Sequence, residues 1–101
     1  MASDMKNFEK ELRKKWLTTY GLDRVLMIDG SAASWFIYQM KTENIVLPHF
    51  VEPHRASGYR RLYQVQTIID AAEIRGHDCV LEFDDTTITI YQGPEDRVGP
   101  F

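Results

Sequence analysis

The stretch PHRASGYRRLYQVQTIIDAAEIRG, residues 53–76, decides the fold that the sequence predicts. Its apolar residues recur at the spacing of one helical face: Leu62, Val65, Ile69 and Ala72. Ser57 has the side chain of a helix N-cap, and Gly76 suits the left-handed residue that ends many helices. The pattern therefore predicts an amphipathic helix over residues 59–75, which begins beside a cluster of arginines.

Two apolar segments precede this region in the chain. Residues 25–28 have the length of a strand, and the Asp29-Gly30 pair that follows is a strong turn signal. The aromatic segment 35–40 is predicted as a second strand that pairs back on the first. The alternative is a short helix capped by Ser31, which would turn the region into a βαβ unit.

Further strands are predicted on both sides of residues 59–75. Residues 45–51 are interpreted as a third strand, with Pro48 at an edge or a bulge because proline cannot donate to a ladder. Residues 79–91 alternate apolar and polar side chains about a turn at 84–86, which predicts a hairpin. The remaining residues, 92–101, are expected to form an extended or loose tail.

The N-terminal region repeats at helical period over residues 4–20. Its apolar face consists of Met5, Phe8, Leu12 and Trp16. Ser3 or Asp4 can cap the start of this helix, and Gly21 fits its end.

These segments predict a single α+β domain over residues 1–101, a length typical of one domain. The predicted order is α-β-β-β-α-β-β. Antiparallel hairpins and two amphipathic helices give a two-layer architecture, with a sheet of about five strands and both helices on one face.

Composition and charge exclude several classes of protein. Apolar residues make up 44% and charged residues 27% of the chain, which is typical of soluble globular proteins and not of disordered ones. The net charge of −3 gives no general case for nucleic-acid binding. Cys79 is the one cysteine, so no intramolecular disulfide is expected, and the absence of an export or membrane segment predicts a cytoplasmic protein without membrane attachment.

The arginine cluster is the candidate anion site, formed by Arg55, Ser57, Gly58, Tyr59, Arg60 and Arg61. A helix start at Ser57 would offer free N–H groups, and the arginines would add charged donors. The site would bind a phosphate or the carboxylate of a partner. The alternative is a solvated first turn whose arginines pair with nearby acids such as Glu52.

A second candidate surface consists of aromatic residues that cannot all face the core of so small a sheet: Trp35, Tyr38, Phe50 and Tyr91. Exposed aromatics on a sheet face favour a partner surface or a homodimer interface. The alternative is a second layer of core that the tail would cover.

Catalytic and metal signals are weak. His49, Glu52 and His54 are suitable zinc ligands, but their spacing does not fit the helical HExxH arrangement, and on a strand the two histidines would point to opposite faces. Neither a metal nor another cofactor is therefore predicted. Cys79 is interpreted as buried packing. Asp29 follows a strand, as many catalytic aspartates do and as many ordinary turns do, so no catalytic residue is predicted.

Small size, the missing catalytic motif and an uneven charge distribution favour a binding protein. Six acids and one base, Arg97, follow Gly76. In size and character the chain resembles the compact accessory or inhibitor proteins encoded by phages and mobile elements. The first hypothesis is a module that binds and modulates another, larger protein. The alternatives are a binder of nucleotide or nucleic-acid phosphate, and last a small hydrolase that uses Asp29 or the histidines.

Overall fold

A computed structural model describes residues 2–92, in which five helices and six short strands alternate. The helices are α1 (Ala2–Lys14), α2 (Thr19–Val25), α3 (Ser34–Thr42), α4 (Val65–Glu73) and α5 (Asp85–Tyr91). The strands are β1 (Trp16–Leu17), β2 (Leu26–Ile28), β3 (Ser31–Ala32), β4 (Phe50–His54), β5 (Gly58–Gln64) and β6 (Cys79–Leu81). In this part of the chain, no helix has the length and apolar character needed to cross a membrane.

The strands form two small antiparallel sheets. The first has the order β1-β5-β4, with Glu52 opposite Arg60. The second has the order β3-β2-β6, with Ile28 opposite Cys79. The α+β class is confirmed. The single sheet of about five strands is wrong, because two segments predicted as strands form α3 and α5 instead.

The core is built by helices α1 to α4 together with strands β2 and β5. Its largest fully buried side chains are Phe36, Leu12, Leu22, Leu26, Ile28, Met40, Ile68, Val25 and Val65. Helix α1 contacts α4, as expected of the two amphipathic helices. Of the eight side chains on the two predicted apolar faces, Met5 is exposed and Trp16 is half-buried. The other six are buried: Phe8, Leu12, Leu62, Val65, Ile69 and Ala72.

The first helix ends earlier than its period predicts. Helix α1 stops at Lys14, and the carbonyl of Lys15 accepts a hydrogen bond from the Val65 amide at 3.0 Å. The predicted last turn therefore becomes β1, paired with β5. Gly21 lies inside α2, where an added β-carbon would be 3.2 Å from Cβ of Leu17. The glycine thus permits close packing and does not end a helix.

The predicted helix over residues 59–75 is correct only from Val65 onward. Its first part is β5, which pairs with β4 on one side and β1 on the other. Nonlocal pairing overrides the local helical period here, because it satisfies the backbone N–H and C=O groups of the segment on both sides. Ser57 therefore caps no helix, whereas Gly76 has the expected left-handed backbone, with φ of 87°.

The alternative reading of residues 31–44 is closer to the structure than the favoured hairpin. The Asp29-Gly30 turn is present, but the returning strand is only β3, and the aromatic segment forms α3. Phe36 and Met40 are buried one turn apart on this helix. Its first amide is satisfied by Asp23, whose carboxylate accepts from Ser34 N at 2.7 Å, so Ser31 is not the cap.

The two remaining strand predictions are partly wrong. Within residues 45–51 only Phe50 and Val51 are in a strand, and Pro48 precedes it, although β4 is an edge strand as expected. The segment 79–91 forms β6 and then α5, because the Asp84 carboxylate accepts from Thr87 N at 2.9 Å and caps a helix. The predicted tail lies outside the described residues from 93 onward.

Candidate functional site

An open groove lies between α3 and β5, with the start of α2 at one end. Its volume is about 600 Å³, which falls within the usual range for ligand sites. The lining is rich in hydroxyl, aromatic and basic side chains: Thr18, Thr19, Ser34, Trp35, Ile37, Tyr38, Lys41, Tyr59, Arg60, Arg61 and Tyr63. We call this cavity the α3–β5 groove.

Which side chains form the two walls of the groove is explained by the period of a helix on one side and of a strand on the other. Helix α3 contributes side chains that share one helical face, namely Ser34, Ile37, Tyr38 and Lys41. Strand β5 contributes alternate side chains that share one face of the sheet, namely Tyr59, Arg61 and Tyr63. Most of each wall is therefore one face of a regular element, and Trp35 and Arg60 line the groove from neighbouring positions.

Lys41 and Arg61 bring positive charge to opposite walls. Among the side chains of residues 5–92, neither forms an ion pair with a carboxylate. The Arg61 guanidinium lies 6.0 Å from the ring centroid of Tyr59, within range of a cation–π contact. None of the Asp and Glu residues in the described range 2–92 lines the groove, so these walls do not neutralise the charge.

Arg60 and Tyr63 have different environments in the same lining. The Arg60 guanidinium forms an ion pair with Glu52, directly across the β4–β5 pair. Burial raises the pKa of the Tyr63 hydroxyl, and the positive charge of Arg61 opposes this effect only in part. Tyr63 therefore stays protonated at neutral pH and can donate a hydrogen bond within the groove.

A smaller, more apolar cavity of about 290 Å³ adjoins the groove. It shares four lining residues with the groove: Ile37, Lys41, Arg61 and Tyr63. Ile45, Val46 and Leu47 supply its apolar wall. Lys41 and Arg61 thus stand at the junction of the two spaces, where a charged group of a ligand could meet both cations while an apolar group enters the smaller cavity.

The structure divides the predicted arginine site. Arg55, Ser57 and Gly58 lie in or next to the turn of the β4–β5 hairpin, and Ser57 Oγ donates to the Tyr59 carbonyl at 2.8 Å. No helix begins there, so the predicted convergence of helix N–H groups on an anion is wrong. Tyr59, Arg60 and Arg61, by contrast, all line the α3–β5 groove.

The predicted aromatic surface is divided in the same way. Trp35 and Tyr38 line the groove opposite β5. Phe50 packs edge-on against Trp16, with ring centroids 4.5 Å apart. The Tyr91 hydroxyl lies 3.3 Å from the Gly21 carbonyl, to which it donates a hydrogen bond. Half of each predicted set is therefore brought together in one groove.

Lys41 and the hydroxyls of Thr18, Thr19 and Ser34 were not singled out by sequence reasoning. The spacing of Ser34, Ile37, Tyr38 and Lys41 is the signal that could have found the α3 wall. That signal is visible only when the aromatic segment is interpreted as a helix. Thr18 and Thr19 carry no comparable signal, because α2 enters the site through tertiary packing.

The residues considered for hydrolysis form an Asp–His pair outside the groove. His77 Nδ1 lies 2.7 Å from Asp29 Oδ2, and Asp29 Oδ1 accepts from the Asp78 amide at 2.8 Å. The Asp78 amide and then His77 lower the pKa of Asp29. Burial raises the pKa of the Cys79 thiol to about 11, so this thiol is a poor nucleophile at neutral pH. Within residues 2–92, no hydroxyl or thiol is hydrogen-bonded to His77.

The histidines suggested as metal ligands are used in local contacts. His49 Nδ1 lies 2.8 Å from the Leu47 carbonyl, and His54 Nδ1 lies 3.2 Å from Ser57 Oγ. In the described part of the chain, no three His, Cys, Asp or Glu residues are grouped as metal ligands would be.

Comparison of the chain with models of protein families, with curated proteins and with solved structures finds no match. The geometry of the groove is therefore the evidence on function.

Proposed function

We propose that this protein is a small binding module that holds an anionic partner in the α3–β5 groove. The observation that carries the proposal is the placement of Lys41 and Arg61 on opposite walls of a groove that no carboxylate of residues 2–92 lines. An anion between these walls would meet a cation from each side. Tyr63 and Thr18 would add neutral hydrogen-bonding groups.

The charge of the whole chain makes this groove distinctive. The formal net charge is −3, so the positive lining is a local feature and not a share of a general basic surface. Hydrogen bonds between charged groups are about twice as strong as neutral ones, and a concave site focuses the field of its cations. Both effects favour capture of an anion at Lys41 and Arg61.

The site favours binding over covalent chemistry. Asp29, His77 and Cys79 do not line the α3–β5 groove, and the Cys79 thiol is protonated at neutral pH. The groove itself offers cations, hydroxyls and aromatic faces, which are groups that hold and orient a ligand.

Titration with inorganic tripolyphosphate tests the proposal, followed by tryptophan fluorescence because Trp35 lines the groove. We expect a saturable change in emission that weakens as the salt concentration rises. Arg61→Glu and Lys41→Glu should each weaken binding about tenfold or more, because each change also introduces a like charge to the anion.

Lys10→Glu is the matched control, because it makes the same change in net charge on the exposed surface of α1. It should leave tripolyphosphate binding nearly unchanged. Equal losses in Lys10→Glu and Arg61→Glu would show a general charge effect, and the groove would then not be the binding site.

A second candidate function is the modulation of a larger protein, or self-association, through an exposed apolar strip. The strip follows the edge of β4 and consists of Phe50 and Val51, whose side chains point to opposite faces of the sheet, and of Val46 just before the strand. Val46 is 81% exposed, which is unusual for a β-branched aliphatic side chain. Exposed apolar side chains beside an unpaired strand edge are typical of surfaces that add a strand from another chain.

A further inference from the structure

A third cavity, of about 360 Å³, continues the α3–β5 groove on its other side. It shares Thr18 and Arg60 with the groove, and it extends to α2 and the end of α5. Lys15 and Arg24 add two more basic residues to its lining. The groove therefore shares lining residues with a cavity on each side, and we call the three neighbouring cavities together the basic track.

Within the part of the chain that the structure describes, the basic track has basic lining residues and no acidic ones. Five basic residues of this part line it: Lys15, Arg24, Lys41, Arg60 and Arg61. No Asp or Glu between residues 2 and 92 lines any of its three cavities. Two carboxylates that contact lining residues are engaged, Glu52 with the Arg60 guanidinium and Asp23 with the Ser34 amide.

Three exposed tyrosine rings lie along the track, each beside a cation. Tyr20 and Tyr38 are 69% exposed and Tyr59 is 53% exposed. The Arg24 guanidinium lies 5.1 Å from the Tyr20 ring centroid, and the Arg61 guanidinium lies 6.0 Å from that of Tyr59. Tyr38 precedes a lysine by three positions on α3, which makes the two side chains neighbours on the helix surface.

We infer that the basic track binds single-stranded nucleic acid; this inference rests on the proposed function and names its ligand class. A single strand presents a phosphate and an unstacked base at each nucleotide. The track presents three pairs, each made of one cation and one exposed aromatic ring. Cations that follow the backbone and rings that stack on bases are the two elements of single-strand recognition. An acidic peptide would use the cations but would leave the three rings without a stacking partner.

Fluorescence anisotropy with a labelled oligothymidine of about ten nucleotides tests this inference. An oligouridine of equal length distinguishes RNA from DNA as the source of the strand. A duplex of equal length and a polyglutamate peptide of equal charge are the competitors. We expect either single strand to bind at least about tenfold more tightly than both competitors, because only unstacked bases can meet the rings.

Two variants separate the roles of charge and stacking. Arg61→Ala should reduce the slope of log binding constant against log salt concentration by about 0.7, the value for one phosphate contact on a single strand. Tyr38→Ala should weaken binding about fivefold or more and leave that slope unchanged, because it removes a stacking surface but no charge. Lys10→Ala, on the exposed surface of α1, should change neither quantity.

The outcomes also separate this inference from the proposed function. If tripolyphosphate binds at Arg61 but oligothymidine binds no better than polyglutamate or the duplex, the groove holds anions and the nucleic-acid inference is overturned. An unchanged affinity in both Tyr38→Ala and Tyr20→Ala would also overturn it. If neither tripolyphosphate nor oligothymidine binds, both proposals fail.

Discussion

Arg60 and Arg61 are adjacent residues with different roles in the structure. Both line the groove, but Arg60 is paired with Glu52 across two strands, whereas Arg61 has no carboxylate partner among residues 5–92. This division follows from the strand conformation, because consecutive side chains of a strand point to opposite faces. In the predicted helix both arginines would lie in the first turn, so the sequence alone predicts that they form one cluster.

The first prediction concerns the paired arginine. Arg60→Glu places a second carboxylate directly opposite Glu52 in the hairpin. The repulsion between the two should lower the free energy of unfolding by about 1 kcal/mol. Arg61→Glu has no opposing carboxylate and should cost less than half as much. Urea unfolding of both variants measures the difference. Equal losses would mean that the cross-strand pair contributes nothing to stability.

The second prediction concerns Asp84, the cap of α5. Hydrogen bonds from Thr87 lower the pKa of the Asp84 carboxyl in the folded protein. The cap therefore stabilises the fold at any pH above the ordinary pKa of an aspartate, and this stabilisation is lost as the pH falls through the lowered pKa of the folded state. Asp84→Ala should therefore lower Tm at about pH 7 and have a smaller effect at about pH 2. Asp84→Asn keeps an acceptor that does not titrate, and serves as the control in the same thermal melts. A Tm loss in Asp84→Ala that does not depend on pH would contradict this account.

At the scale of elements, the sequence predicts those that are stabilised locally. Helices α1 and α4 and strand β2 overlap the segments predicted from apolar patterns, although both predicted helices were too long at one end. The errors arise where tertiary contacts decide the backbone, as in β1 and β5, which exist only through pairing with distant residues. Helix α3 was only the alternative prediction because aromatic residues favour strands in general, while burial of Phe36 and Met40 on one helical face decides the outcome.

The third prediction concerns the packing of β5 and α4. Leu62 and Ile69 are both buried, so Leu62→Ala and Ile69→Ala should each cost about 2–5 kcal/mol of unfolding free energy. Ile74→Ala, at an exposed position just after α4, should cost less than about 0.5 kcal/mol. Chemical denaturation of the three variants is the measurement. Losses at Leu62 and Ile69 as small as that at Ile74 would remove them from the core.

For the whole molecule, the sequence predicts a bipolar charge distribution but not where the charges converge. The candidate cations Arg60 and Arg61 and the candidate aromatics Trp35 and Tyr38 were found separately, and the fold places them in one groove. These residues meet because α3 and β5 lie on opposite sides of the groove, and no local sequence pattern predicts this arrangement of the two elements. The candidate residues could thus be found in part from sequence, but the shape of the site could not.

The fourth prediction concerns the apolar strip at β4. Pairing of two β4 edges would cover Val51 and Phe50, so we expect a weak, concentration-dependent dimer in sedimentation experiments. Val51→Lys should abolish it, because a charged edge residue disfavours pairing. A strict monomer up to high micromolar concentration would leave the strip without this role.

The measurement that tests the central claim most directly is a heteronuclear NMR titration with tripolyphosphate. Our account predicts that the largest shift changes fall on the two walls of the groove, at Tyr38, Lys41 and Arg61. The same titration of Arg61→Glu should show these changes strongly reduced. Largest changes at the hairpin turn around Arg55, or on the lysines of α1, would place the anion elsewhere and contradict the account.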